Sequence, residues 1–353
     1  MSAHSQVKGG ICGIPFVPDV KLACEVKPRL RLGSAAVASP LSVRAQQSDR
    51  VRRIGVLNSL AETDLDAQAW DAAFRKRLDE LGWIDGRNIH IDYRWGPGSV
   101  ERLQLLAKEL VRLNPDVLVA VTTPATAALQ QETHTIPIVF AFVSDPIGSG
   151  FVKSLAHPGG NATGWTPYTP ALGGKWLEIL KEIAPRVGRV GILFNPTTAP
   201  YVTGYYLPDL KAAAAAFAVE PIITVVHDTA EFEDAISEVA RERDGGLIAI
   251  PDTFLFVHRM PFIALANKYR VPAIYPWQHV CREGGLITYS PDLVEPFPGV
   301  AEYIDRILKG ANFADLPVQA PTKYELAINL KTAKALDLNV PGTLLARADE
   351  VIE

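Results

Sequence analysis

From Val51 onward the chain alternates short, β-branched apolar runs with amphipathic stretches at helical spacing. That rhythm builds parallel sheets covered by helices and little else. Arg53-Ile-Gly-Val-Leu reads as a buried strand. Asp66 to Leu81 carries apolar residues at Ala69, Ala73, Phe74, Leu78 and Leu81, and Gly82 stops the helix they mark. Ile89–Tyr93, Asp116–Val121 and Ile136–Val143 follow as strands, separated by helices over Val100–Leu113 and Pro124–Glu132. The second half repeats the plan. Strands over Arg189–Phe194, Pro221–Val226, Gly246–Ile250 and Ala273–Tyr275 alternate with helices over Leu172–Ile183, Leu207–Ala218, Phe232–Arg241 and Phe262–Tyr269. An extended piece over Gly284–Asp292, a helix over Val300–Leu308, a strand over Glu325–Asn329 and a helix over Thr332–Leu336 complete it. The expected fold is α/β, with two doubly wound parallel-sheet lobes in tandem and a chain that crosses between them more than once.

The passage between the halves is Ile136 to Trp165. Ser144-Asp145-Pro146 stops its strand with polar groups and a locked φ. A short amphipathic segment with Phe151, Val152 and Leu155 comes next, His157-Pro-Gly-Gly-Asn breaks it, and Ala162–Thr166 is extended again. Gly159 and Gly164 have the spacing of a phosphate loop, but Trp165 stands where its lysine must be, so the glycines suit a joint better than a phosphate cradle.

Composition closes off several classes of function. The 353 residues suffice for about two domains on a prior of roughly 150 residues each. Hydrophobic residues at 48% and charged residues at 21% fit a globular protein with a full core. A net charge of −4, with Lys and Arg dispersed, excludes an electrostatic nucleic-acid footprint. No apolar run in the body approaches the ~20 residues of a membrane helix. The cysteines Cys12, Cys24 and Cys281 and the scattered histidines show no metal-ligand spacing, and GxSxG, HExxH and a complete dinucleotide loop are all missing. Neither cofactor, metal nor catalytic residue is expected, and the chain reads as a non-enzyme. Residues 1–45 read as an atypical signal peptide or a disordered tail. Lys27, Arg29 and Arg31 precede a mildly apolar run from Leu32 to Val43, and Val43-Arg44-Ala45 suits cleavage before Gln46 and a periplasmic destination.

Candidate binding residues come from a recurring detail. Strands end in a polar residue beside proline at Thr122-Thr123-Pro124, Ser144-Asp145-Pro146, Asn195-Pro196, Pro251-Asp252-Thr253 and Tyr275-Pro276-Trp277, and the first strand ends on Asn58-Ser59. In an open parallel sheet these points share the edge outside the strands' carboxyl ends, where ligands bind. Any single instance is also ordinary strand–helix punctuation. Thr123 is placed to cap a helix beginning at Pro124, whose free N–H groups suit a carboxylate. Trp165, Phe254, Trp277 and Tyr289 lie at the same edges as candidate aromatic walls. Asp145 and Asp252, one per half, either accept from a ligand ammonium or hydroxyl or cap the helices that follow them.

Several longer segments resemble the substrate-binding proteins of a bacterial ABC importer family that includes tryptophan- and tyrosine-type binders. They are Ser144-Asp-Pro-Ile-Gly-Ser-Gly-Phe-Val-Lys-Ser-Leu-Ala-His-Pro-Gly-Gly-Asn-Ala-Thr-Gly, Val271-Pro-Ala-Ile-Tyr-Pro-Trp, Gly284-Gly-Leu-Ile-Thr-Tyr-Ser-Pro-Asp, Pro321-Thr-Lys-Tyr-Glu-Leu-Ala-Ile-Asn-Leu-Lys and the closing Leu345-Ala-Arg-Ala-Asp-Glu-Val-Ile-Glu. The resemblance implies a type I periplasmic-binding fold with residues 51–161 and 291–318 in one lobe and 165–288 and 322–345 in the other. It places hinge segments near 161–165, 288–292 and 319–323. It further implies a small ligand (an amino acid or aromatic carboxylate) in the cleft, a monomeric receptor, and permease and ATPase partner subunits. The Glu295-Pro-Phe-Pro-Gly segment departs from relatives that continue directly into helix. Two other functions remain open on the residues alone. A racemase- or isomerase-like enzyme would need an acid–base pair from Asp145, Tyr289 and Cys281, and a ligand sensor would need a segment to report through.

Overall fold

The computed structural model describes residues 50–242 and 244–353. The expected leader over residues 1–45 lies outside the described residues. The first lobe runs β1 (Arg52–Asn58), α1 (Leu65–Glu80), β2 (Ile89–Trp95), α2 (Val100–Arg112), β3 (Val117–Val121), α3 (Thr123–Glu132), β4 (Ile138–Ala141) and β5 (Ala162–Trp165). Its sheet has the order β2-β1-β3-β4-β5, parallel throughout. Along β3, Val117, Val119 and Val121 face the layer holding α1, while Leu118 and Ala120 face α2 and α3. Both faces are covered, which is why the strand reads as an unbroken apolar run.

The second lobe contains α4 (Leu172–Ile183), β6 (Arg189–Phe194), α5 (Val202–Tyr205), α6 (Leu207–Ala216), β7 (Glu220–Val225), α7 (Glu231–Val239), β8 (Gly245–Ala249), α8 (Thr253–Val257), α9 (Arg259–Lys268), β9 (Ala273–Tyr275) and β10 (Ile287–Ser290). Next comes α10 (Pro296–Leu308), which returns to the first lobe. Its Phe297, Val300 and Ile304 share a core with Trp70, Phe74 and Leu78 of α1. Then β11 (Glu325–Asn329), α11 (Leu330–Ala335), α12 (Gly342–Leu345) and β12 (Glu350–Ile352) complete the second sheet, ordered β12-β11-β10-β9-β8-β6-β7. Only the β10–β11 pairing is antiparallel among the described strand pairs.

Two of the segments between the sheets are bonded to each other. Gln319 N–H donates to Gly164 O at 2.8 Å, and Thr166 N–H donates to Gln319 O at 2.8 Å. Residues 162–165 are themselves β5, so the chain leaves the first sheet after Trp165.

Some elements differ from the periodicity. β4 stops at Ala141 rather than Val143, because Phe142 turns to φ +60° and ends the ladder. Helix α3 takes in Thr123, so its N-cap is Thr122 and not Thr123. Helix α10 begins at Pro296 rather than Val300, since a proline in the first turn needs no N–H partner. β12 lies beyond the expected end of the second lobe at residue 345.

Candidate functional site

A cavity of about 450 Å³, part of it open to solvent, lies where the strand ends of the two lobes face each other. From the first lobe come the residues that end β3 and β4: Thr122, Thr123, Phe142 and Ser144. Trp70 reaches in from α1, and Leu60 from the loop after β1. From the second lobe come Pro251, Asp252 and Thr253 after β8, Phe256 on α8, Trp277 after β9 and Tyr201 beside α5. Tyr168 and Leu293 close the side nearest the crossings.

The aromatic wall is continuous across the lobes. Trp70 lies 4.6 Å from Phe142, centroid to centroid, and 5.9 Å from Phe256 of the opposite lobe. Phe256 in turn meets Trp277 edge-on at 5.3 Å and 85°. These rings bring apolar area together with directional aromatic contacts worth about 0.5–1.5 kcal/mol per pair beyond burial. Buried side chains of both lobes thereby join one hydrophobic cluster, so the lobes are in contact across the cleft.

The polar end is built from strained backbone. Thr122 sits at φ +90° and ψ 164°, and Phe142 at φ +60°. Such conformations cost about 1–3 kcal/mol each for residues with a Cβ and concentrate at ligand sites. The Thr122 hydroxyl is tied to the Ser59 hydroxyl at 2.7 Å, so it does not cap α3. Thr123 Oγ1 is buried on the cavity wall without a partner, at the N-terminus of α3, where N–H groups and the helix dipole favour an anion. Burial pushes the Tyr201 and Tyr206 phenols above their usual range, so both are neutral hydroxyls; Tyr201 donates to Pro251 O at 2.7 Å, and the Tyr206 hydroxyl has no partner.

Asp252 is the one carboxylate among the lining residues, and it is 4% exposed. Oδ2 accepts from Asn195 N–H at 2.6 Å, and Oδ1 accepts from Phe254 N–H at 2.8 Å and from the Thr198 hydroxyl. Desolvation raises its pKa to about 6 despite those donors, and no cation is among the groups that lower it. It caps α8, is braced by protein donors on both oxygens, and has no counter-charge among the groups that act on it.

Of the residues expected at the site, Thr122, Thr123, Ser144, Asp252, Thr253 and Trp277 are brought together on the cavity wall. Ser59 and Asn195 stand one layer behind, bonded to Thr122 and Asp252. Asn58 accepts from Leu60 N–H at 2.9 Å and holds the loop after β1. Asp145 is off the wall: it accepts from Gly148 N–H at 2.7 Å and pins the turn after β4. Phe254 packs away from the cavity on Phe232 and His258. Trp165 lies at the crossings against Tyr303, centroids 4.5 Å apart, and Tyr289 stacks on Tyr324 at 5.6 Å. Trp70, Phe142, Tyr168, Tyr201 and Phe256 are wall residues not anticipated from the strand-end rule. Trp70 carries a usable signal, since the first turns of a helix that follows a strand lie at the ligand edge of the sheet.

No helix among the described residues is long and apolar enough to cross a membrane. The chain is similar to a tyrosine-binding protein of Clostridioides difficile, 28% identical over 292 residues, covering 82% of each chain. Its fold is similar to that of a conserved domain protein from Vibrio cholerae, with a TM-score of 0.79 and 28% identity over 86% of this chain and 100% of that one. It is also similar to an ABC domain from Streptococcus pneumonia in complex with L-Trp, with a TM-score of 0.78 and 25% identity over 85% and 99% of the two chains. Residues 53–352 match the family described as ABC transporter substrate binding protein, a family of extracytoplasmic binders rather than enzymes, served by permease partners. The chain belongs to that family: it is a solute receptor of an ABC transporter, built on the two-lobed α/β fold of periplasmic binding proteins.

Proposed function

We propose that the cavity captures an aromatic amino acid and that the receptor delivers it unchanged to a permease driven by an ATPase subunit. The observation that carries this reading is the pairing of a continuous aromatic wall with two polar ends of opposite character. The hydroxyl and N–H corner at Thr123 and α3 suits a carboxylate, and Asp252, which has no counter-charge, suits an ammonium. The ring of the ligand lies between Trp70 of one lobe and Trp277 of the other. The names of two relatives, a tyrosine binder and an L-Trp complex, support the same ligand class. Residues 51–165 and 291–318 move as one lobe and 166–290 and 322–352 as the other, about the crossings that follow β5 and β10 and the one near 319–323. The receptor acts as a monomer in the periplasm, after removal of a leader that ends at Ala45.

A thermal-shift series with aromatic amino acids, aryl acids and sugars tests the reading, with mass analysis of the recovered ligand. Stabilisation by L-tryptophan or L-tyrosine recovered intact is expected; chemical conversion of the ligand would overturn it. Two substitutions separate the polar ends. Thr123→Val removes an unpartnered hydroxyl, so the unliganded protein keeps or gains stability, whereas affinity for L-tryptophan falls by about 1–3 kcal/mol. Calorimetric titration beside a urea melt checks the split, and equal affinity would contradict it. Asp252→Asn weakens binding of L-tryptophan by roughly tenfold or more, on the scale of a charge-assisted hydrogen bond, and leaves indole-3-propionate unaffected. In the wild type, affinity for L-tryptophan drops as pH falls through about 6, because protonation of Asp252 removes the charge that meets the ammonium. A flat pH profile between 5 and 7.5 would tell against Asp252.

A further inference from the structure

On the rim of the cleft, away from the ligand cavity's polar ends, one guanidinium joins the two lobes. Arg259, the first residue of α9, is only 14% exposed. Its Nε donates to both Glu283 oxygens, at 2.9 and 3.1 Å, and its Nη1 to Phe256 O at 3.0 Å, all within the second lobe. Nη2 reaches across to Asp66 Oδ2 at 3.4 Å, and Nη1 lies 3.9 Å from Asp64 Oδ2. Asp64 is the N-cap of α1 and accepts from Asp66 N–H and Ala67 N–H, so both carboxylates are rooted in the first lobe. The guanidinium carbon also lies 4.9 Å from the centre of the ring of Phe256, a residue that lines the cavity. His279 packs edge-on against the same ring at 5.5 Å, with Nδ1 at 3.6 Å from Asp66 Oδ1.

We propose that Arg259 is the closure latch of this receptor: it bridges the second lobe to the first turn of α1 and holds Phe256 in place as a wall of the cavity. The charge balance favours this use. Opening would leave Arg259 neutralised by Glu283 and would return Asp64 and Asp66 to water at a helix N-terminus, where carboxylates are comfortable. Closing instead buries Asp66. Desolvation lifts its carboxyl to about 6, and the largest opposing influence is Arg259. The latch thus compensates a cost that closure itself creates, and it does so at a ring that touches the ligand site. Arg259 is a positioning residue, with its effect on binding transmitted through lobe closure and Phe256.

This proposal uses the Proposed function only for its choice of ligand, so the test has an arm without ligand. Single-molecule energy transfer between dyes on exposed positions of α2 and α6 reports the closed fraction, and stopped-flow dissociation of L-tryptophan reports opening under load. Arg259→Gln and Asp66→Asn are each expected to lower the closed fraction of unliganded protein and to speed dissociation by about tenfold, the scale of a partly buried charge pair. The double variant is expected to be no worse than Arg259→Gln alone, because that substitution already removes the contacts to both Asp66 and Asp64. Arg259→Lys restores part of the effect by keeping the charge without the fork. A closed fraction that neither substitution lowers, or effects that multiply in the double variant, would overturn the latch. Failure of wild type to bind L-tryptophan, with the closed fraction still sensitive to both substitutions, would count against the ligand and in favour of the latch.

Discussion

Gly164→Ala is expected to unfold the first lobe. Gly164 stands in β5 at φ +155°, and a Cβ there would meet Phe140 O at 2.0 Å and Phe140 N and C at 2.7 Å. Phe140 is its register partner on β4, with its side chain fully buried between the sheet and α3. The obstruction is backbone inside a parallel ladder, so no side chain can swing aside to relieve it. Moving β5 away would break the β4–β5 pairing and the bond from Gln319 N–H to Gly164 O that ties the crossings together. Clash and lost pairing together place the cost at more than about 4 kcal/mol, the exceptional end of single substitutions. Against the roughly 5–15 kcal/mol that holds a domain, little folded protein should remain at physiological temperature. Urea unfolding measures it, and a midpoint close to wild type would show that β5 does not pack as described.

Trp70→Ala is expected to act on both stability and binding. The ring is 3% exposed, stacked on Phe297 at 5.5 Å and 12°, with Phe142 at 4.6 Å and Phe256 at 5.9 Å. Truncation leaves a void among residues already set at strained angles, and buried Trp→Ala costs about 3–5 kcal/mol. The same ring is the first lobe's face of the cavity, so affinity for L-tryptophan falls by about 2 kcal/mol or more, roughly thirtyfold. Trp70→Leu fills most of the void and should recover much of the stability while the binding loss persists. Normal affinity in the leucine variant would remove Trp70 from the ligand wall.

These two positions were unequally legible in the sequence. Gly164 was visible as a glycine in an extended piece, but its spacing suggested a joint, whereas it stands inside the β4–β5 ladder against the Phe140 backbone. Trp70 was harder to place: its position early in the helix after β1 points to the ligand edge, but helical periodicity says only that one face of α1 is buried, not whether its end meets sheet or cleft. The strand ends behaved differently. Thr122, Thr123, Ser144, Asp252, Thr253 and Trp277 reach one cavity because parallel topology sends every such end to the same edge. The rule could not separate residues that face the ligand from those that brace their neighbours. Asp145 and Asp252 both follow strands and both accept from backbone N–H groups, yet Asp145 pins the turn at Gly148 off the wall, while Asp252 caps α8 and also lines the cavity. Trp165, Phe254 and Tyr289 have the right neighbourhood and the wrong direction, and side-chain direction depends on local φ and ψ. The positive φ of Thr122 and Phe142 shows how far those angles can depart from the strand pattern.

The most direct test is calorimetric titration of the purified protein, freed of co-purified ligand by unfolding and refolding, with L-tryptophan and L-tyrosine. One site per chain is expected, with a negative heat-capacity change from burying the ring between Trp70 and Trp277, and ligand recovered unaltered. Saturable binding of sugars with no response to any aromatic amino acid would contradict it.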